Sequence, residues 1–237
     1  MKLLIINKKF LIVIIIMLIL AIMTCVILNI YNKSESTFNS NPYYQGNVDS
    51  KTIAFACNID WGNEHIPAML DIFQKNNIKI TYFPTGKWAE KNEEMLMDIY
   101  KDKHEIGNHG YSHVDYDKLD YGRNREEIEK ADNILSRILD IKPKYFAPPS
   151  GAFNDNTIKA AEDLGYEVIL WSIDTIDWRQ DSTKDVIIDR VTKKAHNSAI
   201  VLMHPTEETV KALPGIINFL YEKGYKIGTI SDVMKNN

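Results

Sequence analysis

Cysteine is nearly absent: there are two in 237 residues, Cys25 and Cys57. Cys25 falls in an apolar run near the N-terminus, so the rest of the chain holds one thiol and no internal disulfide. The same scarcity excludes a cysteine-built metal finger, and any metal here must be held by histidine and carboxylate. Glycine (11) and proline (8) are too few for a collagen-like or proline-rich chain. Positive charge is also short. Residues 1–33 carry four lysines and no acid, which leaves 24 bases against 32 acids in the remainder. Such an acidic balance argues against nucleic acid as a partner, because phosphate binding relies on Lys and Arg. With 45 % hydrophobic and 25 % charged residues, the chain as a whole is not disordered.

What is there begins with one apolar run. Residues 10–28 hold no charge, and a helix of that length spans about 28 Å, close to the ~30 Å hydrocarbon core of a bilayer. Lys8 and Lys9 precede it and only Lys33 follows closely, a bias that keeps the N-terminus in the cytoplasm and sends the rest outside. No small-x-small cleavage site follows, so an uncleaved anchor is expected rather than a signal peptide. Residues 29–50 are rich in Asn and Ser with no apolar period, and read as a flexible linker. The expected organisation is therefore a cytoplasmic N-terminus and transmembrane anchor over 1–28, a linker over 29–50, and one domain over 51–237.

In that domain short apolar runs alternate with longer amphipathic ones. Strands are expected at Thr52–Cys57, Lys79–Phe83, Glu105–Asn108, Tyr145–Ala147, Glu167–Ile173, Ala199–Met203 and Lys226–Thr229. Helices are expected at Ile66–Asn76, Trp88–Tyr100, Glu126–Leu139, Asn156–Leu164, Asp185–Ala195 and Val210–Lys223. About seven strand-helix units predict an α/β fold, a distorted (β/α) barrel of parallel strands, with chemistry at the strands' C-terminal ends.

The polar residues fall at those ends. His109 and His113, four apart after the third strand, can bring two imidazoles to one metal. Asp60, in Asn58-Ile59-Asp60-Trp61-Gly62, can add a carboxylate; three ligands leave positions open for water and substrate. Trp171, Asp174, Asp177 and Trp178 cluster after the fifth strand, and Trp is a frequent pocket wall. His204, in Leu202-Met203-His204-Pro205, can serve as a general acid tuned by a neighbouring carboxylate. Pro148 and Pro149 stiffen the backbone where a groove wall is expected.

Together these motifs resemble, in order and over nearly all of 51–237, the polysaccharide deacetylase family with the NodB homology domain (carbohydrate esterase family 4), and within it a divergent sporulation-associated branch. The resemblance implies metal-dependent hydrolysis of acetyl groups on cell-wall polysaccharide. It implies a divalent metal, zinc by expectation, on Asp60, His109 and His113. It makes His204 the general acid, Asp177 the group that tunes it, and Trp171 and Leu202 walls of the acetyl pocket, beside Pro148 and Pro149. Two positions depart from the family pattern. Where the family has Thr-Phe-Asp-Asp-Gly, this chain has Asn58-Ile59-Asp60-Trp61-Gly62. Aligned from the strand, Asn58 takes the position of the base carboxylate and Asp60 becomes the ligand; aligned from Gly62, Asp60 falls on the base position. Ala147 stands where the family has the Arg that pairs with that base. The two changes fit one event, since a buried Arg left without its carboxylate costs about 3–5 kcal/mol. The expectation is a deacetylase slowed by a missing base, or a membrane-tethered glycan-binding protein that keeps the groove.

Overall fold

The computed structural model describes residues 9, 14–25 and 41–234, and divides into two units, Met1–Asn39 and Ser40–Asn237. Residues 14–25 are helical. The rest of the anchor expected over 10–28, and residues 29–40 of the expected linker, lie outside the described residues. Among the described residues no helix is long and apolar enough to cross a membrane.

The second unit is built around β1 (Thr52–Ile59), whose residues from Ile53 onward are buried on both faces. A strand buried on both faces reads as a near-continuous apolar run, which is why it is legible in sequence. Its period of two divides the core. Ile53, Phe55, Cys57 and Ile59 face outward and pack on α1 (Ile66–Lys75) and α7 (Glu207–Glu222) through Ile66, Met69, Phe73, Leu213 and Ile217. Ala54 and Ala56 face inward, toward Phe83, Tyr145, Ala147, Ile169 and Ile200. Two alanines on the inner face leave room inside the barrel.

All strand ladders are parallel. The order is β3 (Glu105–Ile106), β2 (Thr81–Pro84), β1, β7 (Ile200–Met203), β6 (Ile173–Asp174), with β8 (Lys226–Gly228) paired to the first residues of β1. A second ladder joins β4 (Tyr145–Phe146) to β5 (Glu167–Val168), and an Asn108–Phe146 bridge links it to the end of β3. The expected fifth strand is thus one run that pairs with β4 at its start and with β7 at its end. Ile169 and Trp171 pack on the inner cluster while Ile173 packs on the outer one. The alternation slips by one residue at Ser172, which breaks the ladder and closes the barrel. The seven expected runs are all present, and the fifth is split.

Two expectations are corrected. Residues 43–48, placed in the flexible linker, are tied to the barrel: Tyr43 pairs with Ile169 and Gln45 with Ala199, and the Asn47 and Val48 amides donate to the Val233 carbonyl. The helix expected over Trp88–Tyr100 is two, α2 (Gly86–Lys91) and α3 (Glu93–Lys101). Asn92 breaks it with φ −134° and ψ 42°, its side-chain amide donating to the Trp88 carbonyl. Three helices begin earlier than apolar spacing suggests because a capping side chain decides the start. Thr85 accepts the Trp88 amide for α2, Asp120 that of Arg123 for α4 (Tyr121–Leu139), and Thr206 that of Thr209 for α7. The remaining helices are α5 (Asp155–Asp163), α6 (Lys184–Lys194) and α8 (Ile230–Val233).

One core histidine gives the fold a pH dependence. His104 is buried, its Nδ1 accepts the Ile80 amide at 3.1 Å, and its ring meets Tyr82 and Phe73 edge-on. Burial, helped by Lys79, lowers its pKa from 6.5 to about 4. The folded state therefore holds it neutral while the unfolded chain protonates near 6.5. Its contribution is present above that pH and is lost as pH falls from 6.5 to about 4, on the order of 3 kcal/mol in all. Thermal unfolding at pH 7 and pH 4.5 is expected to show a larger drop in Tm for the natural chain than for His104→Gln. Equal drops would refute the assignment.

Candidate active site

Inner-face alternation decides what enters the barrel mouth. On β1 the inward positions after Ala54 and Ala56 lead to Asn58 and Asp60; on β7 Ile200 and Leu202 lead to His204. These residues, with His109, His113, Trp171 and Asp174, line one cavity of about 410 Å³. Six residues expected in the site, namely Asp60, His109, His113, Trp171, Leu202 and His204, come from four different strand ends and meet there.

The acid pair is complete. His204 Nδ1 lies 2.7 Å from Asp177 Oδ1, and the His204 backbone amide donates to Asp177 Oδ2 at 2.7 Å. The Thr209 hydroxyl, from the first turns of α7, also donates to Oδ2 at 2.6 Å. Three donors converge on this buried carboxylate and fix the orientation of the imidazole. With the Nδ1 N–H donating to Asp177, Nε2 is the nitrogen left to exchange a proton with a substrate. Trp61 stacks on the His204 ring, centroids 6.0 Å apart and planes 7° from parallel.

The histidine pair is present as well. His109 is buried, and its Nδ1 lies 2.7 Å from the Ala147 carbonyl. A carbonyl only accepts, so Nδ1 carries the proton and Nε2 presents a bare lone pair. Burial first, and then His113, push the His109 pKa down to about 3, which keeps the ring neutral. A neutral ring oriented by a backbone carbonyl is the form in which imidazole binds metal. The His113 ring sits 5.3 Å from it. The turn between them is held by buried Glu127, which accepts the Ser112 amide at 2.9 Å and its hydroxyl at 2.7 Å.

Asp60 lines the same cavity as the two imidazoles. Its Oδ1 accepts the Thr85 hydroxyl at 2.7 Å, and among the described residues no three His, Cys, Asp or Glu side chains group closely enough to hold a metal ion. The two imidazoles suit a divalent cation, and the Thr85 bond occupies only Oδ1 of Asp60.

The walls also differ from expectation. Pro148 and Pro149 do not line the cavity; Ser150 does, at φ 57° in the turn Pro149–Gly151. The prolines set that turn, and a Cβ on Gly151 would come within 2.8 Å of the Trp171 ring, so the turn packs flush against it. Trp178 and Trp61 are exposed and border the same cavity. Asn58 is buried, and its Oδ1 has no hydrogen-bond partner. Ala147 is buried nearby in the inner cluster.

The polysaccharide deacetylase profile matches residues 45–169, more than half of the chain. The chain belongs to the polysaccharide deacetylase family. Within that family it is 42 % identical over 193 residues to the uncharacterized protein YlxY of Bacillus subtilis, covering 81 % of this chain and 60 % of YlxY. It is 28 % identical to the B. subtilis peptidoglycan-N-acetylmuramic acid deacetylase PdaA, covering 81 % of this chain and 74 % of PdaA. Among solved structures, BA3943 of Bacillus anthracis, described as a CE4 family pseudoenzyme, superposes with a TM-score of 0.80 at 36 % identity over 84 % of this chain and 71 % of that one. A BA3943 mutant described as having restored enzymatic activity fits equally well. This family member thus brings the His204–Asp177 pair and the His109–His113 pair to one cavity and carries an amide, Asn58, on the inner face of β1.

One glycine couples the two halves of the site. Gly62 has φ 84°, and a Cβ there would sit 2.1 Å from the Pro205 carbonyl oxygen. The loop bearing Asp60 and Trp61 therefore rests directly on the residue after His204. Gly62→Ala is expected to lower stability by about 1–3 kcal/mol and to unstack Trp61 from His204, checked by denaturant unfolding together with Trp fluorescence quenching across pH 5–8.

Proposed function

We propose that this protein acts on N-acetylated cell-wall polysaccharide as a slow deacetylase. The observation that carries the reading is the His204–Asp177 pair at the mouth of a cavity walled by Trp171 and Leu202 and faced by His109 and His113. A protein that only bound sugar has no need of an imidazole locked on a buried carboxylate. In this reading Trp171 and Leu202 receive the acetyl methyl, and Trp61 and Trp178 offer faces to the sugar rings. His204 donates its Nε2 proton to the departing amine, and Asp177 stabilises the imidazolium until it is discharged. His109 and His113 are the side chains fitted to a divalent metal, zinc by ligand type, which when bound supplies Lewis acidity toward the acetyl carbonyl. Asn58 cannot accept the proton of the attacking water, which passes to Asp60 or to bulk solvent instead, and loss of a general base lowers rates by about 10²–10⁴. The relatives whose names state an activity are peptidoglycan deacetylases, which favours a wall polymer as substrate. The apolar run 10–28 and the lysines before it favour a single-pass anchor that holds the domain outside the cytoplasm.

A second reading, a membrane-tethered glycan-binding protein with no turnover, is favoured by the buried, unpartnered Asn58 amide oxygen at the position of the base. Acetate release by the full-length chain in detergent, supplied with zinc, separates them. Release from acetylated chitooligosaccharide or peptidoglycan that disappears in His204→Ala supports the deacetylase. Saturable binding of the same glycans without acetate supports the second reading.

A further inference from the structure

A second cavity adjoins the site and has a different character. It measures about 340 Å³ and shares Asp60 with the first. Its other walls are Asn63, Lys87, Trp88, Lys91, Asn92 and Ser112. Lys87 and Lys91 are four apart on α2, so both ammonium groups project from one face of it. Both are exposed. Among the described residues neither is in an ion pair, whereas Lys118, Lys144, Lys159, Lys193 and Lys211 each are. The two lysines put positive charge on one wall of the cavity.

The amides beside the lysines are fixed. The buried Trp88 indole donates to Asn63 Oδ1 at 2.6 Å, Asn63 Nδ2 donates to Asn92 Oδ1 at 2.5 Å, and Asn92 Nδ2 donates to the Trp88 carbonyl at 2.8 Å. This chain uses both amide oxygens and leaves one N–H on each amide free. The cavity therefore offers ammonium and amide donors. Its one carboxylate, Asp60, already takes the Thr85 hydroxyl, and Ser112 gives its proton to Glu127. Donors of this kind, with a net positive charge, fit an anion.

We infer that this cavity is a subsite for a carboxylate on the polymer, one sugar's reach from the acetyl pocket. The inference rests on the glycan reading above and narrows it to an acidic wall glycan, such as one bearing lactyl ethers, over a neutral one. Lys87 and Lys91 are specificity-determining residues that touch the substituent and take no part in proton transfer.

Calorimetric titration of the full-length chain in detergent tests it with three probes. These are a neutral N-acetylglucosamine oligomer, a peptide-free strand alternating N-acetylglucosamine with N-acetylmuramic acid, and the same strand bearing peptide stems. The peptide-free strand is expected to bind about tenfold tighter than the neutral oligomer at low salt, with the gap closing as ionic strength rises. Lys87→Gln/Lys91→Gln is expected to equalise the two and leave the neutral oligomer's affinity unchanged. A preference confined to the stem-bearing strand supports the cavity and makes the stem the source of the carboxylate. Equal binding of all three by the natural chain, or a preference that survives in the double variant, overturns the subsite alone. No binding of any probe overturns the glycan reading beneath it.

Discussion

Asn58→Asp combined with Ala147→Arg is expected to raise acetate release at least about 100-fold over either single change, because it returns a general base and the cation that holds it charged. The argument starts from burial. Asn58 and Ala147 are each about 4 % exposed, and the Asn58 Oδ1 has no partner. A lone carboxylate at 58 would be desolvated, and its pKa pushed up, so the single variant holds a proton where it should accept one. A lone guanidinium at 147 would be buried without an anion and cost about 3–5 kcal/mol. Together each supplies what the other lacks. The cycle of four proteins should show strong coupling in activity and in unfolding free energy. Simple additivity in both would show that the two positions do not act as a pair, and the idea that an ion pair was lost as a unit would fall with it.

Asp177→Ala carries the second large effect. The Asp177 side chain is fully buried and receives three donors, from the His204 amide, the His204 ring and the Thr209 hydroxyl. Its removal strands all three and frees the imidazole to rotate. Stability should fall by about 3–5 kcal/mol, as when one partner of a buried charged pair is deleted. Acetate release, measured in the background of the activated double variant, should fall by about 10²–10⁴. Asp177→Asn keeps the volume but offers one acceptor in place of two oxygens, and should lose less stability than activity. Guanidinium unfolding at fixed pH and acetate release give the two readouts. A stability change within about 0.5 kcal/mol would mean the carboxylate is not the anchor described here.

Much of the barrel is legible in the chain because its strands are buried on both faces. Ile-Ala-Phe-Ala-Cys at 53–57 and Ile-Val-Leu-Met at 200–203 are apolar throughout, which leaves little choice but an interior strand. Helix starts are less legible. Periodicity places the apolar stripe of α4 at Ile128, Ala131, Ile134 and Leu135, but Asp120 sets where the helix begins, five residues before the pattern suggests. The split at Asn92 escapes periodicity for the same reason: a single side chain that bonds its own backbone outweighs the propensity around it.

In the site, His109, His113, Trp171, Leu202 and His204 sit at the mouth where strand-end logic puts them, and Asp177 lies behind His204. Thr85, Glu127 and Thr209 were not legible, though each holds a site residue, because each arrives from a segment between 15 and 32 residues away along the chain. Ser150 replaces Pro148 and Pro149 at the wall because the prolines spend their rigidity on the turn that presents it.

Sequence alone determined the alternation of strands and helices, the side-chain types His109, His113, Asp177 and His204 that fall at the strand ends, and the amide at position 58, since these depend on residue type and local spacing. Tertiary structure decided the rest. It engaged Asp60 with Thr85, laid Trp61 on His204, slipped the fifth strand at Ser172 to close the barrel, and left Lys87 and Lys91 facing a cavity without acidic partners. Those outcomes turn on ångström-scale approach between distant segments, a quantity that packing fixes and that residue order along the chain does not record.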